Sequence, residues 1–130
     1  MKTIYVLATP AYHEQEEIVF TYAVYDEQGE FVKKAVICHG YRKPAIVGLY
    51  SIMVLIKEFK DYAKEEIKVI VNDGALMEQL RGTTATKNND VVKVAELTRK
   101  HIQKFSNKIT FESVSSDYQK KVHWEKMLVL

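Results

Sequence analysis

The dominant feature of the hydrophobic pattern lies in residues 44–63, where Ile46, Leu49, Met53, Ile56 and Phe59 recur at helical spacing. Val47, Tyr50, Ile52, Val54 and Leu55 fill most of the remaining circumference, so the first turns have little polar face. The long helix they predict is therefore covered on more than one side. Pro44 stands in its first turn, where a missing N–H costs nothing. Lys57, Glu58, Lys60 and Asp61 restore a wet face only toward its end. Ile67 to Val71 follows as a near-continuous apolar run, which suits a central strand covered on both faces.

Alternating and β-branched runs mark the other strands. Thr3 to Ala8 reads as a central strand stopped at Pro10. A polar connection with the acidic run Glu14, Glu16 and Glu17 leads to two further strands, Ile18 to Tyr25 and Phe31 to His39. Between them, Gly29 fits the left-handed position of a bulged hairpin loop, so the chain opens as an antiparallel meander. After the fourth strand, Asp73 caps a short helix, Gly74 to Arg81, which Gly82 stops. A polar loop then leads to Asn89 or Asp90 as the cap of a third helix, whose apolar stripe is Val91, Val94, Ala95, Thr98, Ile102 and Phe105. Asn107 to Val114 reads as a last strand. Residues 115–130 fit a short helix or an added strand.

A chain of 130 residues is expected to form a single domain, 1–130, large enough to fold without a disulfide or metal staple. Cys38, the one cysteine, lies in an apolar run and reads as a buried core thiol in a reducing compartment. No apolar stretch is long enough to span a bilayer, and the N-terminus lacks a leader pattern; a soluble, cytoplasmic protein is expected. A net charge of +2 is too small to imply a polyanion partner by itself, so only a local cluster would. The candidates are Arg42 and Lys43, Arg81 and Lys87, and Lys120 and Lys121; the plain alternative is solvated surface. His13, His39, His101 and His123 have no ligand spacing, and no glycine-rich phosphate loop is present. Trp124 and Tyr118 are placed either to stack bases or to pack the tail onto the domain.

The order of elements, together with the 25–31 hairpin, Tyr50-Ser51-Ile52-Met53-Val54-Leu55, Ile70-Val71-Asn72-Asp73, Asn89-Asp90-Val91-Val92 and Ile109-Thr110-Phe111-Glu112, resembles the ribonuclease H-like superfamily. The resemblance spans residues 3–114, leaving 115–130 as a divergent C-terminal tail. It implies an α/β fold with a mixed five-stranded sheet, in the order strand-strand-strand-helix-strand-helix-helix-strand, and helices on its faces. Active members of that superfamily hold two Mg²⁺ or Mn²⁺ ions with four carboxylates. Here the first-strand position falls at Thr9 and the first-helix position at Val47 or Gly48; Asp73 matches the third, and Asp117 is a weak candidate for the fourth. Two ions held about 4 Å apart need more anionic oxygens than these supply. The resemblance thus implies a non-catalytic module without cofactor. Its expected ligand is a nucleic-acid duplex or RNA/DNA hybrid, met by the basic residues named above. Two alternatives stand beside it. One is a protein-interaction or homo-oligomeric module docking through Met127, Leu128, Val129 and Leu130; the other is a divergent metal-dependent nuclease drawing on Asp73 and the Glu14, Glu16 and Glu17 loop. Neither involves a membrane.

Overall fold

A computed structural model describes residues 1–62, 64–82, 86–104 and 108–129. Its strands β1 (Lys2–Thr9), β2 (Ile18–Tyr25), β3 (Phe31–His39), β4 (Ile67–Val71) and β5 (Ile109–Ser113) form a five-stranded sheet ordered β3-β2-β1-β4-β5. The α-helices among the described residues are α1 (Pro44–Leu55), α2 (Gly74–Arg81), α3 (Asn89–Gln103) and α4 (Tyr118–Val129). β1, β2 and β3 are antiparallel neighbours, whereas β4 runs parallel to β1, and β5 to β4. This is the mixed sheet and element order expected from the sequence. The hairpin expectation also holds: Gly29 has φ 79°, and the Asp26 carboxylate accepts the N–H groups of Gln28 and Glu30 at 2.9 Å. The register shifts beside it: Tyr25 faces Phe31 and Val24 faces Lys33, which leaves Val32 of β3 as the extra residue.

The period of two along β1 and β2 assigns side chains to opposite faces of the sheet. Ile4, Val6, Phe20, Tyr22 and Val24 meet Leu49, Ile52 and Leu55 of α1 on one face. Tyr5, Ala23 and Tyr25 meet Trp124 and Leu128 of α4 on the other. α3 closes over α1, where the buried Thr98 hydroxyl donates to Val94 O of its own helix at 2.7 Å and lies 3.3 Å from Leu49 O. So α1 is covered on two sides, as its apolar circumference predicts. No helix among the described residues is long and apolar enough to cross a membrane.

Several local expectations need correction. α1 stops at Leu55, and residues Glu58–Tyr62 form a 3₁₀ turn instead of continuing the helix; Ala63 lies outside the described residues. Three residues per turn keep Ile56, Phe59 and Tyr62 on the core side, where Phe59 packs edge-on against Tyr22 at 5.6 Å. Cys38 is exposed, not core, because β3 is an edge strand and only Ala35 and Ile37 of that run face the core. β4 is fully covered on one face, by way of Ile67, Val69 and Val71, while Lys68 and Ile70 on the other are half-buried. The cap of α3 is Asn88, one residue earlier than expected, its side chain accepting from the N–H groups of Asp90 and Val91. The tail resolves as helix, and β5 is shorter than the predicted run; Phe105 and Asn107 fall outside the described residues.

Candidate nucleic-acid interface

β1 and β4 pair in parallel only from Lys2↔Ile67 to Tyr5↔Ile70. Beyond that they separate, and the gap is filled by Trp124 of α4, whose Nε1–H lies 3.2 Å from both Val6 O and Ile70 O. Strand carbonyls that have lost a ladder partner thus find a donor in the indole. Above it, Val6, Ala8, Gly48, Ser51, Asp73 and Leu76 help line a cleft of about 90 Å³. Of the residues at the superfamily's carboxylate positions, Gly48 and Asp73 meet at this cleft, while Thr9, Val47 and Asp117 are not part of its lining. Their chemistry is different.

Asp73 is committed to the start of α2. Its Oδ1 accepts the Leu76 N–H at 3.0 Å, and its own N–H donates to Ser113 Oγ at 3.1 Å. Its other oxygen leans on α1: a β-carbon at Gly48 would lie 2.7 Å from Asp73 Oδ2, so any side chain there would have to displace the carboxylate. Val47 is buried, and Thr9 is exposed at the end of β1. Asp117 is exposed and serves α4, accepting the Lys120 N–H at 3.1 Å. Glu14, Glu16 and Glu17 sit in an exposed loop beyond β1, with Glu16 3.8 Å from His13 Nε2. Among the described residues no three His, Cys, Asp or Glu side chains come together in a way that could hold a metal ion. The donor set does not fit the two-ion centre.

Beside the cleft lies a more open groove of about 420 Å³, lined by the first turns of three helices. Pro44 and Ala45 come from α1, Asp73 and Ala75 from α2, and Thr86 and Asn88 from the entry to α3. The ends of α2 and α3 are capped by Asp73 and Asn88, whereas α1 has no side-chain cap and no acidic residue in its first turn. Lys43 immediately precedes this groove, and Lys87 stands between two of its lining residues. Lys43 Nζ lies 2.9 Å from Asp90 Oδ2, a pair that holds the lysine pKa up and the carboxylate pKa down. Arg42 stacks on Tyr50 at 4.9 Å and donates to Tyr41 O; His39 Nε2 lies 3.0 Å from the same tyrosine hydroxyl. Arg81 is exposed at the end of α2.

Lys120 belongs to another place. It lines a shallow cleft of about 340 Å³ under α4 with Tyr5, Lys68, Ile70, Glu112 and His123. Its ammonium pairs with Glu112 at 3.1 Å, and Lys68 approaches the other oxygen of that carboxylate at 2.8 Å. Those hydrogen bonds, Lys68 first and then Lys120, hold the Glu112 pKa below its usual range. Lys121 is exposed on the same helix. Of the six basic residues, Lys43 and Lys87 adjoin the helix-entry groove and Lys120 and Lys121 lie on α4, whereas Arg42 rests on Tyr50 and Arg81 stands at the far end of α2. Tyr118 is exposed, while Trp124 is used in packing. The apolar C-terminal end is also partly consumed: Leu128 is buried, Met127 half-buried and Val129 exposed, with Leu130 outside the described residues.

Sequence reading did not find the meeting of three helix entries, although Pro44, Asp73 and the Asn88–Asn89 run each mark one. It also missed Ser113, which braces the Asp73 backbone from β5.

A sheet ordered β3-β2-β1-β4-β5, with its cleft at the carboxyl ends of β1 and β4, defines a ribonuclease H-like fold. The chain is similar to ribonuclease H1 of the archaeon Halobacterium salinarum at a TM-score of 0.73 and 12% identity, covering 92% of this chain and 89% of that one. LC11 ribonuclease H1, solved in complex with an RNA/DNA hybrid, gives a TM-score of 0.74 at 12% identity over 99% and 94% of the two chains. The N-terminal RNase H domain of a Mycobacterium tuberculosis protein gives 0.68 at 12% identity, covering 92% and 86%. By sequence, neither a family description nor a curated protein matches.

Proposed function

We propose that this chain is a non-catalytic ribonuclease H-like module that binds a nucleic-acid duplex, such as an RNA/DNA hybrid, along the groove where α1, α2 and α3 begin. The observation that carries this reading is the convergence of three helix N-termini on one open groove, with that of α1 left without a side-chain cap. Helix N-termini present free N–H groups and a partial positive charge, a combination suited to phosphate oxygens. Lys43 and Lys87 beside the groove, with Arg42 next in the chain, supply the sequence-independent part of such binding. The hybrid held by the LC11 enzyme supports the choice of ligand class. The absence of catalysis rests on the donors present: Asp73 is occupied in capping α2 and leaning on Gly48, and Thr9 and Val47 carry no carboxylate.

The test is gel retardation of labelled RNA/DNA hybrid and duplex DNA at low and moderate salt, with Mn²⁺ present and the products examined for cleavage. Binding that weakens steeply with salt, without cleavage, is expected; each phosphate neutralised contributes a slope of about −0.9 in log affinity against log salt. Failure to bind either duplex at low salt would overturn the reading. Cleavage abolished by Asp73→Asn would replace it with the nuclease alternative.

A further inference from the structure

β3 is the terminal strand of the sheet. Its inner edge pairs with β2 along its length, and no described strand pairs with its outer edge. An unpaired edge is a template for another strand unless charge, proline or a covering element blocks it. Here the guard is thin. β3 carries two lysines, the exposed Lys33, whose ammonium lies 5.9 Å from the Tyr22 ring, and the half-buried Lys34.

The face beside this edge is apolar and open. The sheet register aligns Leu7, Thr21 and Val36 in one row and Thr9, Val19 and Cys38 in the next. α4 covers the neighbouring positions Tyr5 and Ala23, while in these rows Leu7, Thr9, Val36 and Cys38 are exposed and Val19 and Thr21 half-buried. Val36 is 58% exposed, Phe31 50% and Val32 44%. The two ends of the strand also carry opposite charge: Asp26, Glu27 and Glu30 precede it, and Arg42 and Lys43 follow it.

We propose that β3 pairs antiparallel with β3 of a second copy, making a two-fold dimer whose sheet runs through both chains. Self-pairing about Ala35, the middle of this nine-residue strand, sets the acidic hairpin of one copy beside the Arg42–Lys43 segment of the other. It places Lys34 opposite Val36 of the second copy and Lys33 opposite Ile37, with Val32, the extra residue at the register shift, beside Cys38, so no lysine faces a lysine. The aliphatic stem of Lys34 lies over Val36 while its ammonium stays wet. The paired strands lie on the sheet edge, apart from the lining of the helix-entry groove, and Arg42 and Lys43 are the residues common to both surfaces.

The test is molar mass by light scattering over protein concentrations from about 5 to 500 μM, a span bracketing micromolar dissociation constants. The full chain is compared with Val36→Lys and Val36→Glu, both at an exposed site, with circular dichroism confirming the fold of each. The native chain should approach twice its monomer mass. Val36→Lys sets like charges against Lys34 twice per dimer and should raise the dissociation constant about tenfold or more, whereas Val36→Glu should retain the dimer. A monomer throughout the range, or equal loss in both variants, would overturn the proposal. Register is checked by Val32→Cys, which should cross-link to Cys38 of the second copy under mild oxidation; a dimer that gives no cross-link would overturn the Ala35-centred pairing.

Discussion

Gly48 and Asp73 form a matched pair across α1 and α2. Adding one methyl group at Gly48 should push the Asp73 carboxylate off the Leu76 amide, so Gly48→Ala is expected to destabilise by about 1–2 kcal/mol in urea unfolding. Asp73→Ala removes the cap and should cost about 1 kcal/mol. The two effects should not add, because in the Asp73→Ala background the new methyl group meets no carboxylate. Additive losses would show that the contact is not what limits position 48. The capping role of Asp73 was legible in the sequence, since a carboxylate directly before Gly-Ala-Leu and a short apolar run is a local signal. That Gly48 exists to make room for it was not legible, because the two residues are neighbours only through the packing of α1 against α2. Cys38 illustrates the opposite error: its apolar neighbours suggested burial, but an edge strand exposes every second residue whatever their hydropathy.

The stretch that hydrophobic period left undecided, residues 115–130, supplies the helix that covers part of one sheet face. α4 has Trp124 and Leu128 facing inward and is tied down by the Tyr25 hydroxyl donating to Met127 O at 2.6 Å. Trp124→Phe keeps the ring but leaves Val6 O and Ile70 O without their donor, and should cost about 1–3 kcal/mol in unfolding experiments. At the other end of α4, Glu112 bridges Lys68 and Lys120. Its folded pKa is depressed, so its contribution is fully present above the usual glutamate range and is lost as pH falls through the lowered value. The stability gap between the native chain and Glu112→Gln should therefore shrink between about pH 6 and pH 3; a gap independent of pH would refute the assignment. Periodicity left this tail undecided because its inward residues, Trp124, Met127 and Leu128, cover little more than one turn, next to the apolar Val129 that faces outward. Periodicity also overestimated α1, where apolar spacing of three fits a 3₁₀ turn as well as a helix.

For the molecule as a whole, the order and direction of the strands were legible because strand and helix periods differ and the hairpin residues are explicit. The layout of charge was not. Arg42, Lys43, Arg81, Lys87, Lys120 and Lys121 look equivalent along the chain, yet the fold sends Lys43 and Lys87 to the helix-entry groove and Lys120 to the α4 side. This separation predicts unequal effects on duplex binding. Lys43→Glu should weaken it and reduce the salt slope by about 1, Lys121→Glu should change it little, and Asp90→Asn, which frees Lys43, should strengthen it. Equal losses from Lys43→Glu and Lys121→Glu in the same retardation assay would dissolve the groove as the interface.

The position of the chain's one tryptophan has a practical consequence. Trp124 is buried between β1 and β4, directly beneath the Asp73 cleft, with its indole proton held by two strand carbonyls. Emission excited in the indole band, to the red of absorption by the chain's eight tyrosines, is therefore a single-site signal. A shift in its wavelength, or in the rate at which that proton exchanges with deuterium, reports directly on whether the strand junction has opened.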